Sequence, residues 1–418
     1  MEQARLFPAV RWLPFAETAE RDEQMPGPMH GVRVVELAAW VAGPSASGIL
    51  ADWGADVVKI ESPQGDPLRA IQAAAGSDGT GNPFFDPDNR GKRSVVLNLR
   101  EEKDRQAALA LVDGADVFVS NMRPAALERL GFDHPTLLER HPRLVYALIT
   151  GYGLTGPDAG AGAFDLGACW ARGGIADLLA VPGQDLPLQR SGMGDHFAGM
   201  TAAGMISAAL FHRERTGEGQ LVSTSLVRVA AYQVSSDLNT KLMTGQDPAH
   251  PVRTRPDNPL ANNYTAGDGE RFWLLGIESD RHWPALTRIV EHPEWEADER
   301  FASWQARAEN TETLVRMLDE VFATAPRAEW AKRFDAEKDF FWSPVNDVAT
   351  VVLDPQTRAS GALVQVADGS FDKPMVASPA DFSRTPVSVR TRAPRLGEHT
   401  TEILAELAAD GRVARAAN

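Results

Sequence analysis

Gly31-Val32-Arg33-Val34-Val35-Glu36-Leu37 and Asp56-Val57-Val58-Lys59-Ile60-Glu61 are two short apolar runs that lie close together in the chain. Each reads as a buried strand. Between them Ala42-Gly43-Pro44 turns the chain, and a proline at the first helical position opens a helix over 45–53 that Gly54-Ala55 ends. Strand, helix and strand in so short a span make a βαβ unit, so the sheet is parallel and the fold class is α/β. The alternation continues outward. It predicts strands at 95–99, 117–120, 144–149 and 221–224, helices over 101–113 and from 225 to about 242, and a helical turn at 125–130. A dinucleotide site is the first suspicion for such a unit. The turn Ala42-Gly43-Pro44-Ser45-Ala46-Ser47-Gly48 lacks the G-x-G-x-x-G spacing, which argues against NAD.

At 418 residues the chain is long enough for two domains, each with its own core. A net charge of −15 repels nucleic acid and anionic membranes, so neither is an expected partner. Cys169 is the single cysteine, which excludes an intrachain disulfide and a cysteine-based metal site; no metal is expected. No apolar run approaches the ~20 residues of a membrane span, and the start lacks a signal-peptide core, so the expected compartment is the cytoplasm. Residues 1–28 read as an irregular arm.

The second informative stretch is Ser191-Gly192-Met193-Gly194-Asp195-His196-Phe197-Ala198-Gly199, which runs into small residues as far as Phe211. It predicts a tightly packed buried helix with Asp195 at its N-cap, kept ionised by free backbone amides and the helix dipole. Such a carboxylate is either a cap or a nucleophile. Lys59, Arg90, Lys92, Arg93, Arg123 and Arg129 fall at or near strand ends, where open α/β sheets place ligands, and together could hold phosphates. Pro248, Pro251, Pro256 and Pro259 mark a crossing segment, and the span from Pro344 to Pro394 is a second one. Between them lie a short strand at 271–275 and several Trp-rich helices, and a last helix runs over 400–409.

Taken in order, the stretches 31–63, 89–99, 116–131, 142–157, 192–219 and 396–400 resemble the family III CoA-transferases, the group of formyl-CoA transferase, the carnitine CoA-transferases and α-methylacyl-CoA racemase. The resemblance implies a Rossmann-like large domain from residues 29–245 and 346–418, with a smaller α+β domain inserted at 246–345. It also implies a homodimer whose two chains are interlocked like links.

The same resemblance implies transfer of coenzyme A from an acyl-CoA to a carboxylic acid acceptor. Asp195 matches the nucleophile that forms first an aspartyl anhydride and then an aspartyl-CoA thioester. It places Lys92, Asn121, Met122, Arg129 and Leu130 near the nucleotide and pantetheine of CoA. Val41, Ala42, Phe164 and Asp165 fall in the acyl or acceptor site. Val41 and Ser62 replace a glutamine and an arginine of formyl-CoA transferase, and Asn258-Pro259-Leu260-Ala261-Asn262-Asn263 stands where that enzyme has a glycine-rich loop. These departures argue against oxalate and formate. The alternative is a 2-methylacyl-CoA racemase, whose acid/base pair needs a histidine where this chain has Phe164; Glu278 is its one remaining candidate partner. A CoA-binding subunit without catalysis is a third reading, and the intact glycine-flanked Asp195 weighs against it.

Overall fold

The computed structural model describes residues 27–75, 81–250 and 252–411; residues 1–26 of the expected arm, and Pro251, lie outside them. Six strands, β1 (Arg33–Leu37), β2 (Asp56–Glu61), β3 (Arg93–Val96), β4 (Val117–Ser120), β5 (Val145–Thr150) and β6 (Gln220–Ser225), form one sheet in the order β3-β2-β1-β4-β5-β6. Every neighbouring pair is parallel. This is the doubly wound order of Rossmann folds, whose switch point lies between β1 and β4.

The central strands are largely apolar because both faces are covered. Val34, Val57, Val117 and Ala147 pack on one side beneath Leu50, Ala198, Ala202 and Ile206. Val35, Val58, Phe118 and Tyr146 pack on the other beneath Ala108, Val112 and Leu127. Helix α1 (Ala42–Asp52) begins three residues earlier than the position of Pro44 suggests. Pro44 sits inside the first turn, where its missing N–H leaves no helical bond unmade. The predicted helix from 225 to 242 is broken at Val234 into Leu226–Gln233 and Ser235–Thr244, and the second piece buries none of its residues.

Charge is also buried beneath the sheet's carboxyl edge. The Glu36 carboxylate lies 2.6 Å from both the Lys59 and Lys92 ammonium groups, and all three side chains are inaccessible. Burial pushes the Glu36 carboxyl up, but the two cations outweigh it and hold it at about 2. Lys59 also reaches Asp66 at 3.0 Å and the Ala38 carbonyl at 3.1 Å.

Residues 260–342 build a separate core from Tyr264, Phe272, Trp283, Phe322, Trp330 and Phe334. Around it lie a three-stranded antiparallel sheet, β7 (Asn263–Thr265), β8 (Arg271–Leu274) and β9 (Trp342–Pro344), and the helices Ser279–Ile289, Thr311–Phe322 and Arg327–Ala336. The chain then returns to the large sheet. Ser94 Oγ and O accept from the Gly397 and His399 amides, at 2.9 and 3.0 Å, and the Val96 amide donates to Thr400 Oγ1 at 3.1 Å. The final helix Thr400–Ala409 drops Ile403 and Leu407 into the core, so the β3 edge is covered by residues three hundred positions away. Among the described residues no helix is long and apolar enough to cross a membrane.

Candidate active site

The carboxyl ends of β1 and β4 are clasped by side chains. Ser120 Oγ donates to the Leu37 carbonyl at 2.7 Å, and Asn121 exchanges two hydrogen bonds with the backbone of Ala39, at 2.7 and 3.1 Å. Against this switch point lies the long helix Met193–Thr216, whose N-cap is Gly192 in the left-handed region at φ 78°. Two close approaches fix it. A Cβ on Gly199 would sit 2.0 Å from Ser45 Oγ of α1, and one on Gly194 would sit 2.3 Å from Asp165 Oδ1. The small residues of this helix are there to let backbones meet.

Asp195 is therefore not the N-cap but the third residue of the helix. Its surroundings also differ from the expectation of a carboxylate kept ionised. Burial, then the Asp165 charge, raise its pKa from 3.8 to about 7; Asp88 adds to this and His196 opposes it. The Gly194 amide is not free to serve Asp195, because it donates to Asp165 Oδ2 at 3.1 Å. Asp165 is buried and also accepts from Gln189 Nε2 at 2.9 Å, so it fixes the turn from which Asp195 projects. Among the described residues no group donates a hydrogen bond to the Asp195 side chain. His196 faces outward, 3.2 Å from Asp88 Oδ1, and this contact is the main cause raising its pKa. Cys169 lies beside Asp165; burial, with the two aspartates, pushes its thiol up to about 12, so it stays protonated.

Val41 and Ala42 stand at the start of α1, and Val41 packs toward Gly192. Phe164 is exposed, and its ring meets that of Trp40 edge to face, centroids 5.5 Å apart. Trp40 was not singled out by sequence reasoning. Its position three residues past the end of β1, where the chain turns at the switch point, is the signal that could have found it.

The expected phosphate-binding bases divide. Lys92 is fully buried between Glu36, the Pro44 carbonyl and Asn89, where its cation balances Glu36. Lys59 and Arg90 are likewise buried, Arg90 against Asp52. Arg93 lies at the opposite end of the strands, paired with Asp56, Glu402 and Glu406. Arg123 and Arg129 remain exposed beyond the carboxyl end of β4, and Met122 and Leu130 are half-buried beside them.

These elements recur in known proteins. The profile of CoA-transferase family III matches residues 29–400. The chain belongs to this family. It is 34% identical to succinyl-CoA:mesaconate CoA-transferase of Haloarcula marismortui, over 92% of this chain and 97% of that one. It is 29% identical to (R)-2-hydroxy-4-methylpentanoate CoA-transferase of Clostridioides difficile, over 91% and 96%. A CAIB/BAIF family protein from Brucella suis superposes with a TM-score of 0.80 at 32% identity, covering 92% of this chain and all of that one. The family III protein is thus an enzyme, and the racemase alternative is not favoured. Glu278, that alternative's candidate acid/base, is an exposed residue next to the helix Ser279–Ile289, paired with Arg281 at 2.9 Å.

Proposed function

We propose that this family III enzyme moves CoA from an acyl-CoA thioester to a free carboxylic acid, with Asp195 as the nucleophile. The observation that carries the reading is the Asp195 side chain itself, half-buried in the first turn of a closely packed helix and without a hydrogen-bond donor among the described residues. A pKa of about 7 leaves a substantial ionised fraction at neutral pH, and a poorly solvated carboxylate is the more reactive one. The carboxylate attacks the thioester carbonyl, the C–S bond breaks, and CoA leaves as thiolate from a mixed anhydride. The thiolate then attacks the aspartyl carbonyl, which expels the donor acid and leaves an aspartyl-CoA thioester. An acceptor carboxylate repeats the two steps in reverse order and regenerates Asp195. Asp165 is a positioning residue, since it holds the Gly194 amide.

Coenzyme A enters along the carboxyl end of β4. Arg123 and Arg129 are the available partners for its phosphates, and Asn121, Met122 and Leu130 for its adenine and pantetheine. The working unit is a homodimer of chains with a large domain (29–245 and 346–418) and an inserted one (246–345), linked through each other. In support, the single chain exposes 24097 Å², whereas a compact monomer of 45.3 kDa exposes roughly 16,000 Å². Full extension of the residues outside the described set supplies about 6,000 Å² at most, less than the surplus.

Incubation with a transferable acyl-CoA and hydroxylamine should give an aspartyl hydroxamate at Asp195, read by peptide mass spectrometry. Asp195→Ala should lose both the label and CoA transfer. Near-normal transfer by that variant would overturn the assignment.

A further inference from the structure

We propose that Trp40 and Phe164 form the wall on which the acyl group lies, and that the enzyme prefers bulky apolar acyl groups, branched or aromatic, over dicarboxylic ones. The inference rests on the Asp195 reading for the location of the acyl carbonyl, and on three observations of its own.

The first is backbone conformation. Trp40 has φ 66°, one of two non-glycine residues with positive φ among those described. A bulky side chain holds that conformation only where its surroundings enforce it. The enforcement is visible: the Trp40 amide donates to Asp66 Oδ1 at 3.2 Å, and Asp66 Oδ2 is held by the buried Lys59 ammonium at 3.0 Å. The buried charges thus act through Asp66, a positioning residue, to aim one indole.

The second is placement. The Trp40 and Phe164 rings meet edge to face at 88°, yet stay 37% and 64% exposed. Each is one residue from a group that touches the turn carrying Asp195. Val41 Cγ1 would lie 3.7 Å from a Cβ on Gly192, and Asp165 holds the Gly194 amide. The ring pair is therefore tied through Val41 and Asp165 to the turn that carries Asp195. Leu166 and Met193, two residues from Phe164 and from Asp195 in the chain, are also exposed apolar side chains, at 58% and 53%.

The third is charge. The ionisable groups that act on Asp195 are Asp165 and Asp88, which both raise its pKa, and His196, which opposes them and is already engaged by Asp88. A second carboxylate on the acyl group would face these acidic side chains, while a flat or branched hydrocarbon would cover the two rings.

The test uses unreactive thioethers, so that recognition is read apart from chemistry. Calorimetry should show S-(3-phenylpropyl)-CoA binding about tenfold or more tighter than S-(3-carboxypropyl)-CoA. Trp40→Ala should bring the ratio near one, Trp40→Phe should keep most of it, and Asp66→Asn should reduce it with the affinity for CoA itself unchanged. A ratio near one in the native enzyme, or one that Trp40→Ala leaves intact, overturns the proposal. The hydroxylamine label is run in parallel with 3-phenylpropanoyl-CoA and succinyl-CoA. A thioether preference that depends on Trp40, with no label at Asp195 from either thioester, sinks the nucleophile and supports the wall. Equal labelling by both thioesters, with no thioether preference, does the reverse.

Discussion

Replacing Asp195 by asparagine should stabilise the folded protein, and only where the carboxylate is ionised. Burial and the neighbouring Asp165 and Asp88 raise the Asp195 pKa from 3.8 to about 7, with His196 opposing. In the unfolded chain the group ionises near its ordinary value, so between these limits the native state holds the extra proton. Stability is unaffected by the group below pH 3.8, declines as pH rises toward 7, and carries the full cost above that. Three pK units correspond to roughly 4 kcal/mol. Water reaches part of the side chain and screens it, which leaves about 2 kcal/mol at pH 8 and less at pH 5, falling toward zero below pH 3.8. Asparagine matches the carboxylic acid in shape and never ionises. Urea unfolding of the two proteins at equal concentration, at pH 5 and pH 8, measures the difference of differences and cancels every other titrating group. A variant no more stable than the parent at pH 8, or more stable by the same margin at both values, would refute the reasoning.

Gly194→Ala places a Cβ 2.3 Å from Asp165 Oδ1 and 2.4 Å from Cys169 Sγ, so the turn must shift. Transfer should fall about a hundredfold while CoA affinity, read by calorimetry, changes little. Glu36→Leu leaves the Lys59 and Lys92 ammonium groups buried without their shared partner, and should cost about 3–5 kcal/mol in urea unfolding. In the parent, the contribution of Glu36 should persist above pH 4.5 and be lost as pH falls toward 2, since its folded pKa is depressed to about 2.

What was legible in the sequence was whatever repeats with a local period. The β1–β2 unit, the strand Val117–Ser120 and the helix Thr400–Ala409 are read from apolar runs and their punctuation, and the structure has them within a residue or two. Asp195 was legible as the notable carboxylate because glycines flank it. Its protonation was not, because the deciding neighbours, Asp165 and Asp88, are thirty and more than a hundred positions away. The partner of Lys92 was hidden for the same reason. In sequence Lys92 is one of several bases near a strand; in space it answers Glu36, fifty-six residues earlier. Trp40 carries no local mark either, since its conformation is imposed by Asp66.

The seam between β3 and the segment at 396–400 bears on how the protein is made. The core of residues 260–342 is complete within one continuous stretch and can close as soon as that stretch has been synthesised. The large sheet cannot. Its six strands are all translated by Ser225, yet the slots filled by Ile403 and Leu407 and the flank of β3 wait for the segment from Gly397 to Ala409. During that interval the nascent chain presents an unpaired strand edge beside uncovered apolar surface, the combination that recruits wrong partners. Completion of the sheet is thus timed by a helix that begins 175 residues after β6 ends (400 against 225), and translation speed through the stretch between them sets how long the vulnerable period lasts.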